Sequence, residues 1–181
     1  MRTLAALAPP ATLLSTLAPL HARHAGPADA PFLARLYAAT RPDLLGDGSA
    51  EPAFAAGLVA MHQRLQLADY RARFPDAEIV LLEQDGAPFA RLAIDCNEER
   101  VRLVDIALLP EARGRGAGSR ILRALQAWAA GAGLPLSLSV QAANPRAHRL
   151  YLALGFAPAA AAVQQADGPA AHAVELCWRA P

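Results

Sequence analysis

The run Arg113-Gly114-Arg115-Gly116-Ala117-Gly118-Ser119 places two guanidinium groups and three glycines within seven residues, directly ahead of an amphipathic stretch. The first turn of a helix leaves backbone N–H groups unpaired and carries a partial positive charge, so it attracts phosphate. Glycines keep side chains off the backbone and reach the dihedrals that an anion nest needs. Arginines add charge and donors shaped for phosphate oxygens. Together, in this order, these residues describe a diphosphate site. Two common phosphate loops do not fit. A dinucleotide G-x-G-x-x-G counted from Gly114 finds Ser119 at the third glycine, and Leu138, Ser139 and Val140 supply no acid about 20 residues on. A P-loop needs a lysine, and none stands near this loop.

A strand must lead into this loop and a helix must leave it. Val101–Leu109 reads as a strand closed by Pro110, and a helix follows over about 116–132. In that helix Ile121, Leu122, Leu125, Trp128 and Ala129 recur on one face, and Gly131 and Gly133 stop it. Upstream, residues 78–83 and 87–95 flank Gln84-Asp85-Gly86, whose Asp-Gly pair marks a hairpin. Cys96–Arg100 is a second polar turn, so three antiparallel strands form a meander. Residues 1–15 read as an irregular extension and 17–24 as a short strand closed by Gly26-Pro27. Asp29 is the expected N-cap of a helix carrying Phe32, Leu33, Leu36 and Tyr37, which Arg41-Pro42 and Gly46-Asp47-Gly48 end. A second helix over about 51–70 carries Phe54, Leu58, Met61, Leu65 and Leu67 on a looser stripe. Downstream come a buried strand over 134–140, a short helix over 145–154 ended by Gly155, and two strands flanking Asp167-Gly168-Pro169. No repeat and no linker interrupts residues 16–181, which predicts one α/β domain.

Composition narrows the class. With 181 residues, 54% of them hydrophobic, the chain can bury a core, and a net charge of +1 gives no reason to expect nucleic acid or a membrane surface as partner. Cys96 and Cys177 lack CxxC spacing, and His21 and His24 lack further ligands, so no metal site is expected. The uncharged stretch from Thr3 to Leu20 is broken by Pro9, Pro10 and Pro19, which argues against a signal peptide or span and for a cytoplasmic protein.

Ile106-Ala107-Leu108-Leu109-Pro110-Glu111-Ala112-Arg113-Gly114-Arg115-Gly116-Ala117-Gly118 resembles the acetyl-coenzyme A motif of the GCN5-related N-acetyltransferase (GNAT) superfamily. That motif reads Arg or Gln, two residues, Gly, one residue, Gly or Ala, after a strand and a proline. A second family block, Asn144, Ala147, Leu150-Tyr151 and Leu154-Gly155-Phe156, follows at the family's distance. The match is strong over residues 101–156; over 17–95 only the order of elements agrees. The resemblance implies a mixed, mostly antiparallel sheet that splays between its fourth and fifth strands and is flanked by helices. It implies acetyl-CoA as co-substrate. Backbone groups of Ile106, Ala107 and Leu108 would hold the pantetheine arm. Donors from Gly114, Gly116, Ala117, Gly118 and Ser119, with Arg113 and Arg115, would hold the pyrophosphate, and Asn144 would either bond the pantetheine or cap its helix.

Acetyl transfer needs a neutral amine, a stabilised oxyanion and a tolerated thiolate. An alkylamine of pKa ~10.4 gains from a base, whereas a thiol near ~8.5 needs only a weak push. By the resemblance Tyr151 is the acid, with a core tyrosine as the alternative. Asp105, beside the cofactor strand, is the candidate base or an ordinary strand residue. The oxyanion donor would be a backbone N–H near Leu108. Some relatives carry a glutamate where this chain has Ser139; Glu83 is a poorer substitute and His148 reads as a surface residue. The acceptor, a small-molecule or peptide amine, would lie against the first two helices and the last hairpin, where Tyr37, Arg41, Gln63 and Tyr70 are available. Two readings remain: an active N-acetyltransferase, or a catalytically weak acyl-CoA-binding module. A homodimer stays open.

Overall fold

Asp85 and Gly86 both adopt positive φ, 53° and 77°, the backbone of a two-residue turn whose twist matches its flanking strands. They join β2 (Glu78–Gln84) to β3 (Ala87–Cys96) in a computed structural model that describes residues 21–41, 51–159 and 173–181. The expected extension over 1–15, the start of the first strand, and the Gly46-Asp47-Gly48 and Asp167-Gly168-Pro169 signals lie outside these residues.

The remaining elements are β1 (His21–His24), α1 (Ala30–Thr40), α2 (Pro52–Arg73), β4 (Val101–Leu108), α3 (Ala117–Ala132), β5 (Leu136–Gln141), α4 (Pro145–Ala153), β6 (Ala157–Pro158) and β7 (Ala173–Trp178). The strands form one sheet in the order β1-β2-β3-β4-β5-β7-β6. Every pairing is antiparallel except β4 with β5. This is the mixed, mostly antiparallel α/β sheet that the resemblance implies.

Each face of the sheet buries its own core. Val80, Leu82, Leu92, Ile94, Val101, Leu103, Leu136 and Leu138 pack on Ile121, Leu122, Leu125 and Trp128 of α3. On the opposite face Leu81, Ala107 and Leu109 meet Phe32 and Leu36 of α1. An irregularity in β4 links the two sides. Ala93 pairs with Asp105 and Ile94 with Leu103, so Val104 has no partner on β3. A single inserted residue exchanges the faces of everything beyond it. Val101 and Leu103 therefore join the α3 core, whereas Ala107 and Leu109 join the α1 core.

Two sequence expectations need correction. Asp29 occupies the cap position of α1 but makes no side-chain cap. Its carboxylate instead accepts hydrogen bonds from the Gly26 N–H (2.8 Å) and from Arg23 (2.7 Å). The apolar stripe of α2 is only partly covered: Phe54, Met61 and Leu65 are 66%, 44% and 61% exposed, Leu58 and Leu67 are half-buried, and among the described side chains of that helix Val59 is the buried one. Alanine so fills α2 that apolar spacing alone does not mark one face. Among the described residues no helix is long and apolar enough to cross a membrane.

Candidate active site

The pairing of β4 with β5 covers only Val101–Leu103 against Leu136–Leu138. β5 continues beside β7 as far as Gln141, while β4 stays with β3, so the sheet parts between its fourth and fifth strands. A cleft of about 670 Å³ opens at this parting, with a second of about 170 Å³ beside it. Asp105, Ile106, Asn144, Ala147 and Tyr151 line both. Ala107 and Leu108 line the larger cleft, together with Gly114, Gly116, Gly118 and Ser119 at its loop end.

The loop has the backbone its glycines predict. Gly114 and Gly116 sit at φ 75° and 78°, a region in which L residues are strained. Gly116 is the N-cap of α3, and no side chain caps the first turn. The amides opening α3 thus lack the partners that most helix starts provide. A Cβ on Gly116 would meet nothing within 4 Å, whereas one on Gly118 would lie 3.7 Å from Leu150 Cδ2. Open space in front of uncapped amides fits a phosphate group.

The arginines depart from expectation. Arg113 donates through Nε to the Leu108 carbonyl (2.8 Å) and through Nη2 to the Ala39 carbonyl (3.2 Å). It clamps the end of β4 to the end of α1, and the Leu108 carbonyl is occupied by that clamp. Arg115 is exposed and, like Ala117, does not line the cleft. A different arginine does: Arg146, in the first turn of α4, lines the cleft with Nη2 3.6 Å from where a Cβ on Gly114 would stand. Asn144 caps α4, its Oδ1 accepting from the Ala147 N–H at 3.1 Å.

Tyr151 is buried, with its ring edge-on to Phe156 at 5.8 Å between centroids. Burial, and secondarily the charge of Asp105, push its hydroxyl up to about 12. Asp105 itself is engaged. Its carboxylate accepts a hydrogen bond from Arg91, whose side chain is only 4% exposed. Tyr70 of α2 lies near the same carboxylate, and burial followed by the Asp105 charge raises that phenol above its ordinary value. Of the acceptor-side residues named from sequence, Tyr70 lies near Asp105 and Tyr37 is buried, and none of Tyr37, Arg41, Gln63 and Tyr70 lines the two clefts. Glu83 pairs with Arg23 (2.7 Å), and Ser139 bonds Glu175 within an Arg102–Glu175 ion pair.

Sequence reasoning missed Arg91, Gln66 and Arg146. Arg91 had a signal: it is a charge in the middle of the apolar run Phe89-Ala90-Arg91-Leu92-Ala93-Ile94, and a buried charge requires a partner. Gln66 and Arg146 stand on helix faces with no distinguishing pattern. Among the described residues no group of three or more His, Cys, Asp or Glu could hold a metal ion.

A split sheet with an uncapped helix entrance at its gap defines an α/β protein with an open cleft between parted strands. The profile of the acetyltransferase (GNAT) family matches residues 42–156, and the chain belongs to that family. No curated protein matches the sequence significantly. Solved structures share the fold. The PaiA N-acetyltransferase of Thermoplasma acidophilum, in complex with coenzyme A, aligns at a TM-score of 0.58 and 13% identity, over 89% of this chain and 99% of its own. An acetyltransferase of Thermus thermophilus aligns at 0.57 and 22% identity, over 89% and 97%. A GNAT family acetyltransferase of Elizabethkingia anophelis with acetyl-CoA bound aligns at 0.54 and 15% identity, over 89% and 97%.

Proposed function

We propose that this protein is an N-acetyltransferase that passes an acetyl group from acetyl-CoA to a primary amine of a small molecule or peptide, within one domain over residues 16–181. The observation that carries the reading is the uncapped first turn of α3 at the mouth of the cleft where β4 and β5 part. Amides of Gly116 to Ser119, with Arg146, would hold the pyrophosphate, and the free edge of β4 from Asp105 to Leu108 would hold the pantetheine arm. Asn144 would contribute its remaining amide donors there. Arg113 would act by fixing the loop rather than by touching phosphate, and Arg115 would add charge at the rim. Because acetyl-CoA is an intracellular reagent, the reaction belongs in the cytoplasm.

Bound acetyl-CoA supplies an acyl group activated as a thioester. The amine nitrogen forms a bond to the acyl carbon and the C–S bond breaks. As the N–C bond forms, the nitrogen becomes acidic, and Asp105 takes its proton directly or through water. The negative charge developing on the carbonyl oxygen falls near the backbone N–H groups of β4. Tyr151 stays protonated at every working pH, since its hydroxyl titrates at about 12. A thiolate of pKa ~8.5 does not capture a proton from so weak an acid. Tyr151 therefore donates a hydrogen bond to the departing sulfur, which leaves as thiolate and is protonated by solvent.

The commitment of Asp105 to Arg91 favours a second reading, a catalytically weak acyl-CoA-binding module. Release of free thiol from acetyl-CoA across a panel of primary amines tests both. Amine-dependent thiol release is expected; thermal stabilisation by coenzyme A without turnover on any amine would favour the module.

A further inference from the structure

We propose that Gln66 receives one N–H of the attacking nitrogen and thereby makes the site selective for primary over secondary amines. This rests on the acetyltransferase reading and names a residue that selects the acceptor. Gln66 lines the larger cleft from α2, and its Oε1 is buried without a hydrogen-bond partner. Buried polar atoms in folded proteins are almost always paired, so an orphaned acceptor on a residue that lines a cleft marks a group that a ligand satisfies.

The helix register says where this acceptor stands. Gln66 and Tyr70 are four residues apart on α2 and so share a face. Tyr70 lies near enough to Asp105 to feel its charge, and Asp105 lines the same cleft as Gln66. Gln66 therefore stands one turn along the same face, over the same cleft. The cleft offers the nitrogen two acceptors, a carboxylate on β4 and an amide oxygen on α2.

A neutral primary amine brings two N–H groups and one lone pair. With the lone pair directed at the acyl carbon, both N–H groups need acceptors once water is excluded, and Asp105 and Gln66 supply one each. A secondary amine has carbon in place of one N–H. It would press that carbon on Gln66 Oε1 and leave the oxygen unpaired, a larger loss than a missing contact alone. Arg91 beside Asp105 keeps that pair neutral overall, so the cleft does not favour the ammonium form that cannot attack.

Tyramine, benzylamine and glycinamide, each beside its N-methyl derivative, would be compared by thiol release at saturating acetyl-CoA. The wild-type protein should prefer the primary amine by at least about tenfold, the worth of one such hydrogen bond. Gln66→Leu should lose about that factor in kcat/KM for primary amines and change little for secondary ones. Gln66→Glu, which keeps an acceptor oxygen at the same reach, should retain the preference. Coenzyme A affinity, measured by calorimetry, should be unchanged in both variants and reports that they are folded. An unchanged primary-to-secondary ratio in Gln66→Leu overturns the role of Gln66 and leaves the acetyltransferase reading intact. A fall in coenzyme A affinity in that variant overturns it too, by assigning Gln66 to the cofactor half. Wild-type protein that acetylates none of the primary amines overturns both.

Discussion

Substitutions at Gly116 and Gly118 should change stability in opposite directions, and only one of them should harm coenzyme A binding. Gly116 lies at φ 78°, with nothing within 4 Å of a Cβ. Alanine there meets no neighbour but enters the left-handed region, at a cost of about 1–2 kcal/mol, or roughly 2–8 °C in Tm for a chain of this size. Gly118 lies inside α3 with ordinary φ, and its Cβ would make a normal 3.7 Å contact with Leu150. Alanine at that position should add up to about 1 kcal/mol through helix propensity. Its methyl would make that ordinary contact with Leu150 and leave the first-turn N–H groups in place, so coenzyme A affinity should stay within about twofold. Gly116→Glu adds a carboxylate where the pyrophosphate is held. Losing even one charge-assisted amide contact is worth about 1.5–3 kcal/mol, and the repulsion adds to it, so the dissociation constant should rise at least about 100-fold. Calorimetric titration of coenzyme A into each variant, beside thermal unfolding without ligand, makes the comparison. Near-wild-type affinity in Gly116→Glu, or an equal loss in Gly118→Ala, would remove the pyrophosphate from this helix entrance.

Three further outcomes are expected. Tyr151→Phe should lower kcat by about 10–100-fold, the value of a hydrogen bond to a developing charge, with coenzyme A affinity little changed. Because folding raises the Tyr151 hydroxyl from 10.0 to about 12, the unfolded chain releases that proton first, and stability should fall as pH rises above 10; Tyr151→Phe should flatten this decline in alkaline unfolding curves. Asp105→Asn strands the buried Arg91 guanidinium and should cost about 3 kcal/mol in denaturant unfolding, while Arg91→Met added to it should restore part of the stability and none of the rate. Asp29, held down to about 2 by its hydrogen bonds to Arg23 and the Gly26 N–H, contributes stability above its ordinary 3.8 that is lost as pH falls toward 2. Asp29→Asn should lower stability at neutral pH and weaken the acid dependence in that window.

The helix entrance was legible in the sequence because its determinants are local. Glycine at Gly114 and Gly116 is required by φ, and the amphipathic face of α3 repeats within a few turns. The Asp-Gly hairpin, the clean face of α3 and the Asn144 cap were readable for the same reason. Where alanine dilutes the pattern, local reading failed: on α2 the spacing of Phe54, Met61 and Leu65 resembled a core face, yet those residues are exposed while Gln66 lines the cleft.

The pairing of Arg91 with Asp105 lay beyond sequence reading for a deeper reason. Side-chain direction in a strand alternates with strict period, so counting from the buried Val101 and Leu103 sends Asp105 into the α3 core, where a carboxylate could not stand. The unpaired Val104 breaks the count and turns Asp105 to the other face, where Arg91 meets it and Tyr70 lies near. The same residue stands where β4 ceases to pair with β5, immediately after Leu103. One inserted residue therefore coincides with both the opening of the gap and the delivery of the carboxylate to it. Nothing in Leu103-Val104-Asp105 announces a bulge; it exists because the register on either side is held by partners on another strand, Val101 opposite Cys96 and Leu108 opposite Ala90.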